Sequence, residues 1–211
     1  MRRFAVSLTA VGLAVALALS MAVAPARAQN AAEDVAPGTL PGIAPAPEAE
    51  RGDTRLERLF ERLAETENAV EARGVAMLIQ RRWMESGSPT ADLLMNRAQQ
   101  AIRAREPALA IELIDRILVI QPDWAEAWNR RAIAFTMLQD PVSAIADIYR
   151  TVSLEPRHFA AWAGLGTLLM QAGDERGALE SFERALAVHP HLPRIDTIVN
   201  RLRRDVDGVE L

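Results

Sequence analysis

Three histidines are the side chains of this sequence best suited to metal binding or acid–base chemistry, and two of them form the motif His189-Pro190-His191. Two imidazoles so close together can hold a metal ion, but a site needs at least a third ligand. The chain has no cysteine, and the third histidine, His158, lies well upstream. Because the intervening proline favours a turn, a surface turn is predicted in preference to a metal site, and no cofactor is expected.

The glycine pair Gly164 and Gly166, in the stretch AWAGLG, is a second candidate for chemistry. A dinucleotide-binding loop needs a preceding strand and a third glycine three residues further on, but the surrounding residues have helical spacing and that position is Leu169. The acidic residues Glu180 and Glu183 have the spacing of an exposed helix face and not of a catalytic dyad. Since no catalytic constellation emerges, the protein is predicted not to be an enzyme.

The N-terminus has the features of an export signal. Arg2 and Arg3 precede a long uncharged apolar run, and Ala26-Arg27-Ala28 offers a cleavage site. We therefore predict a signal peptide over residues 1–28, cleaved after Ala28, and a periplasmic location. The run is also long enough for an uncleaved inner-membrane anchor, so this alternative stays open. Residues 29–53 contain many prolines and alanines without a periodic pattern, which predicts a disordered linker.

The charge of the mature chain excludes two classes of partner. Loss of Arg2, Arg3 and Arg27 reduces the 24 basic residues to 21, against 28 acidic ones, for a net charge of −7. A nucleic-acid-binding protein needs the opposite sign. An anionic membrane surface is disfavoured for the same reason, so membrane association is expected only if the N-terminal segment is not cleaved.

The remaining sequence repeats itself at a spacing of 34 residues. One column is always proline (Pro122, Pro156 and Pro190), and another is always alanine (Ala110, Ala144 and Ala178). A third column carries a large residue (Leu94, Trp128 and Trp162), and a fourth a small one (Ala98, Ala132 and Gly166). The fifth column is large and apolar (Ile114, Ile148 and Phe182).

This pattern resembles the tetratricopeptide repeat (TPR). The copy over 159–192 matches the family pattern almost throughout, the copy over 125–158 departs from it at Arg131 and Thr151, and the copy over 91–124 keeps the small and proline columns. The resemblance implies an all-α fold, a right-handed α-solenoid of antiparallel helix pairs whose small residues lie where paired helices approach.

Degenerate ends flank the three clear repeats. Residues 54–90 are predicted to form an N-terminal repeat, because Phe60, Leu63, Ala64 and Ala76 fall in the right columns. Large apolar residues are missing from two further columns, where Glu67 and Gln80 stand. A capping helix is predicted over 193–205 and a tail over 206–211.

In this family the first helix of each pair lines a concave groove, and the lining positions can be carried over residue by residue. Asparagine and glutamine can hold a peptide backbone, methionine adapts to apolar side chains, and Arg103 or Arg130 can meet a carboxylate. The full carboxylate-clamp pattern is absent, since Met95 and Gln99 replace its Lys and Asn. The alternative for any single position is an ordinary solvent-facing role. The candidate site residues are Met95, Asn96, Gln99, Arg103, Asn129, Arg130, Ile133, Met137, Gly164, Thr167 and Met170, with Asp92, Ile102, Glu126, Thr136, Ala160, Ala163 and Gln171 at further lining positions.

These observations predict a non-enzymatic adaptor that binds a peptide or protein segment in the groove, in cell-envelope assembly or maturation. The alternative is a self-assembling structural protein, a homo-oligomer. It depends on Trp83 and Met84, which a poorly matched N-terminal repeat would leave as an uncovered apolar face.

Overall fold

The computed structural model describes residues 48–208, so the predicted signal peptide, most of the predicted linker and residues 209–211 lie outside the described residues. Every regular element in the described range is an α-helix, as the repeat predicted. The helices are α1 (Glu48–Glu65), α2 (Ala69–Trp83), α3 (Pro89–Arg103), α4 (Pro107–Ile120), α5 (Ala125–Met137), α6 (Pro141–Leu154), α7 (Phe159–Gln171), α8 (Glu175–Val188) and α9 (Ile195–Asp207).

The first helix begins inside the range predicted as linker. It starts at Glu48, directly after the last proline of that range, whereas the linker was predicted to extend to residue 53. The linker boundary at residue 53 stays a prediction.

Aspartate side chains cap the second helices of the last two pairs. Asp140 accepts a hydrogen bond from the Ser143 amide at 3.1 Å, and Asp174 accepts one from the Gly177 amide at 2.9 Å. Gly173 ends the turn before α8 with a φ of +82°, a conformation that favours glycine. Each cap satisfies an amide that a free helix end would leave unpaired.

Three antiparallel pairs, α3–α4, α5–α6 and α7–α8, pack one after another, and α9 packs on α8. The small column lies where paired helices approach, as predicted. A Cβ built on Gly166 would lie 2.7 Å from ring carbons of Phe182 on the facing helix. Glycine is needed in this copy because the facing column carries phenylalanine, where the two earlier copies have isoleucine.

A repeated hydrogen bond fixes each repeat to the next. The indole Nε1 of Trp128 donates to the Pro122 carbonyl at 2.8 Å, and that of Trp162 donates to the Pro156 carbonyl at the same distance. The guanidinium of Arg184 lies 4.8 Å from the Trp162 ring centroid, a cation–π contact. Both tryptophans are only partly buried, so each of these hydrogen bonds joins a helix to the preceding turn at the surface of the core.

The N-terminal helix pair differs from the prediction. Residues 54–90 do contain two helices, but α2 and α3 lack the extensive packing that joins each later pair of neighbours. The hairpin α1–α2 contacts α8 instead, and its core includes Phe159 at the start of α7. Ala64, predicted at a close helix approach, is exposed.

The sequence offers a physical reason for this displacement. Glu67 and Gln80 occupy columns in which a stacked repeat buries large apolar residues. The remaining apolar face of the hairpin, which includes Phe60 and Leu63, is covered by packing against the turns that begin and end the third repeat. No helix among residues 48–208 has both the length and the apolar character needed to cross a membrane.

Candidate peptide-binding groove

The first helices of the second and third repeats, α5 and α7, face a shared open cavity of about 530 Å³. Its buried lining residues are apolar and are here called the floor, namely Ala132, Ile148, Ala161 and Leu168; the exposed polar ones are called the rim, namely Gln80, Thr136, Thr167 and Gln171. Ligand pockets usually have such a composition, and the volume lies in their range of about 300–1,000 Å³. The lining residues are Gln80, Asn129, Arg130, Ala132, Ile133, Thr136, Met137, Ile148, Ala160, Ala161, Gly164, Thr167, Leu168 and Gln171.

Six of the candidate residues named from the sequence meet in this cavity, and five do not. Those brought together are Asn129, Arg130, Ile133, Met137, Gly164 and Thr167. They come from helical positions one turn apart on α5 and α7, so their side chains share the face that each helix turns to the other.

The candidates on α3 lie elsewhere. Met95 is buried in the core of the first repeat, in a cluster that Met84 packs against. Gln99 is half-buried and directs its amide to the Met84 sulfur at 3.7 Å. Asn96 and Arg103 are exposed and do not line the cavity. Met84, in the segment after α2, packs against this cluster and contacts Gln99, so it covers this part of the expected groove.

Met170 is also outside the cavity. It packs into the C-terminal cluster around α9, and Arg201 directs a guanidinium nitrogen to its sulfur at 3.5 Å. Position Met170 lies one turn beyond Thr167, where α7 already faces the capping helix.

A buried carboxylate organises the polar end of the cavity. Glu126 is 3% exposed, its Oε1 accepts a hydrogen bond from Nε of Arg130 at 2.6 Å, and a terminal guanidinium nitrogen of Arg130 lies 2.5 Å from the same oxygen as an ion pair. Its Oε2 accepts hydrogen bonds from Asn129 at 3.1 Å and from His158 at 2.8 Å. Burial alone would raise the pKa of Glu126, but the His158 hydrogen bond and the Arg130 charge outweigh it, so its pKa is lowered.

The same contacts fix the tautomer of His158. Its Nδ1 accepts a hydrogen bond from the Ala161 amide at 3.1 Å, which caps α7, so Nε2 carries the proton and donates to Glu126. The imidazole stacks on the Trp83 ring with 4.1 Å between centroids. His158 thus contacts Glu126 beside the groove, the start of α7 in the third repeat and Trp83 in the N-terminal hairpin.

All three histidines lie at the junction between the hairpin and the repeats. His191 donates from Nε2 to the Thr66 carbonyl at 2.8 Å. His189 is buried against the edge of Phe159, with no hydrogen-bond partner for Nδ1, so the prediction of a surface turn was wrong for this residue. Burial and the nearby His191 lower the pKa of His189. The described residues contain no cluster of three or more metal-binding side chains.

Gln80 lines the groove although the sequence analysis did not include it among the candidate site residues. It comes from α2 and lines the cavity beside Ala160 on α7. The repeat register assigns it to a packing column, and no local signal shows that the hairpin folds back. Ile148 and Leu168 also line the floor, and the repeat pattern placed the Ile148 column only in the core.

A stack of two-helix units with a groove along their first helices defines a repeat solenoid of the kind that presents surfaces to other proteins. A TPR repeat-containing protein of Rhizobium etli is 32% identical over 154 residues, which cover 73% of this chain and 76% of that protein. The chain therefore belongs to the TPR repeat proteins. No model of a known protein family matches it.

Solved structures share the fold at low sequence identity. The first TPR domain of Spaghetti (RPAP3), bound to an HSP90 peptide, superposes with a TM-score of 0.54 and 18% identity over 57% of this chain and 95% of that one. MamA superposes with a TM-score of 0.52 and 19% identity over 65% of this chain and 82% of that one. These similarities bear out the paired antiparallel packing of the fold.

Proposed function

We propose that this protein is a non-enzymatic adaptor that binds a peptide or protein segment in the groove between α5 and α7. The observation that supports it most is the open cavity with an apolar floor and a polar rim, on the helices that line the groove in TPR proteins. The RPAP3 domain of the same fold has an HSP90 peptide bound. Cavities of this kind bind ligands by shape and a few polar contacts.

We further propose that the adaptor is exported and acts in the periplasm, in assembly or maturation of the cell envelope. The support is the N-terminal sequence, a positive start, an apolar run and the Ala26-Arg27-Ala28 site. N-terminal sequencing of the protein recovered from its native cells tests this proposal. A mature chain that begins at Gln29 is expected, and a soluble chain that begins at Met1 would contradict export.

Substitution of Ile133 tests the groove. Ile133 is 37% exposed on α5 and lines the cavity, so Ile133→Glu places a charge in the groove without entering the core. Val142→Glu, at a residue that is 78% exposed on α6, is the matched control. We expect affinity capture from native cells to recover the partner with the parent and the control but not with Ile133→Glu. Equal recovery by all three would remove the groove from the mechanism.

The feature that suggested self-assembly is not present. Trp83 is 8% exposed and packs against Phe60, His158 and Phe159. Met84 is half-buried over the first repeat. Because both residues pack against the repeats, they do not form an apolar face for a second copy. Binding in the groove is the function that the geometry supports best.

A further inference from the structure

The charges around the groove limit the kinds of ligand that it can bind. Arg130 is the charged residue that lines the cavity, and it is held by the buried carboxylate of Glu126 through two nitrogens. To bind a partner's carboxylate, Arg130 would have to leave Glu126 or share itself with a second anion. A second carboxylate beside Glu126 would also be repelled, since like charges are unfavourable in a poorly solvated site.

The amide that stands beside Arg130 is similarly engaged. Asn129 donates to Glu126 at 3.1 Å and is largely buried. Glu126 therefore neutralises the charge of Arg130, the groove residue that was expected to meet a carboxylate, and engages one N–H of Asn129. The other polar lining groups are uncharged. Gln80 and Gln171 carry amides, and the hydroxyls of Thr136 and Thr167 donate to carbonyls of their own helices and can still accept a hydrogen bond.

The floor of the cavity has a place for an apolar side chain. Gly164 has no side chain there, and a Cβ built on it would meet only the Ile148 Cδ1 atom, at 3.7 Å, an ordinary van der Waals distance. Ile133 and Met137 stand one turn apart on α5 at the same cavity, each more than a third exposed. An aliphatic side chain over Gly164 would contact these apolar groups and displace water from them.

Resting on the proposed function, we propose that the groove binds an uncharged, internal segment of a partner protein, with one aliphatic side chain seated over Gly164. The backbone of the segment is held by the uncharged rim amides and hydroxyls. An acidic C-terminal tail is not its ligand, because its carboxylates would find the available guanidinium already neutralised.

Selection from two peptide libraries tests this assignment directly. One library displays random segments flanked on both sides by constant sequence, and the other displays random segments with free C-termini. We expect the immobilised full chain to enrich uncharged segments with a recurrent leucine, isoleucine or methionine from the first library. Enrichment of acidic free C-termini instead would overturn the inference while leaving the groove as the binding site.

A variant that fills the floor separates this inference from the proposed function. Gly164→Leu keeps a helical position and occupies the place assigned to the ligand side chain, whereas Ala146→Leu adds the same group at an exposed position of α6. Gly164→Leu is expected to weaken binding of the selected peptides at least tenfold, and Ala146→Leu to leave it unchanged. Unchanged binding of the selected peptides by Gly164→Leu would overturn the seat over Gly164, whereas the groove itself is tested separately by Ile133→Glu.

Salt dependence gives a second measurement that needs no variant. The Debye length falls from about 10 Å at 0.1 M to about 3 Å at 1 M ionic strength, which weakens charge-driven binding. An uncharged ligand held by apolar contact is expected to change its Kd less than about threefold over this range. A loss of tenfold or more would show that charge recognition dominates and would overturn the inference.

Discussion

Removal of the Trp83 side chain should release the N-terminal hairpin from the repeats. The Trp83 ring is almost fully buried, and its centroid lies 4.1 Å from that of the His158 ring and 5.2 Å from that of the Phe159 ring. The main-chain carbonyl of Trp83 accepts a hydrogen bond from the Trp124 indole at 2.7 Å. These contacts join α2 to the turns that precede α5 and α7. Trp83→Ala removes the ring contacts but keeps the backbone hydrogen bond.

The magnitude follows from burial and from one opposing contribution. An aromatic side chain buries roughly 150–250 Å², which at about 25 cal/mol per Å² corresponds to about 4–6 kcal/mol. The Trp83 indole N–H has no hydrogen-bond partner in its buried position, and removing such a group recovers about 1–3 kcal/mol. The net cost of Trp83→Ala is therefore about 3 kcal/mol, a roughly hundredfold shift of the docking equilibrium.

A matched pair of variants separates packing from the unpartnered donor. Trp83→Phe keeps an aromatic ring and removes the N–H group, so it should cost less than about 1.5 kcal/mol. Leu78→Ala, at a half-exposed residue of the same helix, should change stability by no more than about 0.5 kcal/mol.

Native-state hydrogen exchange measures the effect by region. In Trp83→Ala the amides of residues 54–83 should exchange about a hundredfold faster, while α7 and α8 lose much less protection. A cost below about 1 kcal/mol, or an equal loss of protection in the hairpin and the repeats, would refute an independently docked hairpin.

Three further predictions concern pH and packing. Burial lowers the pKa of His189, which follows α8, from 6.5, so His189 binds a proton more readily once the hairpin is released. Docking should be strongest above about pH 6.5 and weaken as the pH falls towards the folded pKa, and His189→Phe should remove this dependence in exchange measurements. The pKa of Glu126 is lowered from 4.5, so its contribution to stability should be complete above that pH and lost as the pH falls through its folded pKa. Urea unfolding at a series of pH values should show this loss of stability in acid for the parent but not for Glu126→Gln. Gly166→Ala should cost about 1–3 kcal/mol because its new Cβ meets the Phe182 ring, and adding Phe182→Ile should recover much of that cost; additive losses in thermal unfolding would contradict the direct contact.

The repeat register could be derived from the sequence because it depends on short-range spacing. The proline column, the small column and the caps at Asp140 and Asp174 each act within one helix pair, so their roles follow from local chemistry. The Gly166 prediction succeeded for this reason, since the residue that approaches it, Phe182, belongs to the same repeat.

The groove could be predicted only where neighbouring repeats continue the pattern. Asn129, Arg130 and Gly164 were placed on α5 and α7 by their positions in the repeat, and the structure brings them to one cavity. Their chemical state could not be derived in the same way. Arg130 was expected to be able to meet a carboxylate, but the Glu126 carboxylate, which also accepts a hydrogen bond from His158 at the far end of the same repeat, already holds it.

By itself, the sequence determined the helix pairs, their order and the residues at which paired helices meet, because these follow from contacts within about one repeat length. The tertiary structure alone decided where the N-terminal hairpin packs. Its apolar face contacts Phe159, and its residue Thr66 accepts a hydrogen bond from His191, more than three repeat lengths away along the chain. Hydrophobic burial has no direction along the sequence, so the hairpin packs where its apolar face is best covered, and no spacing rule in the repeat specifies that place.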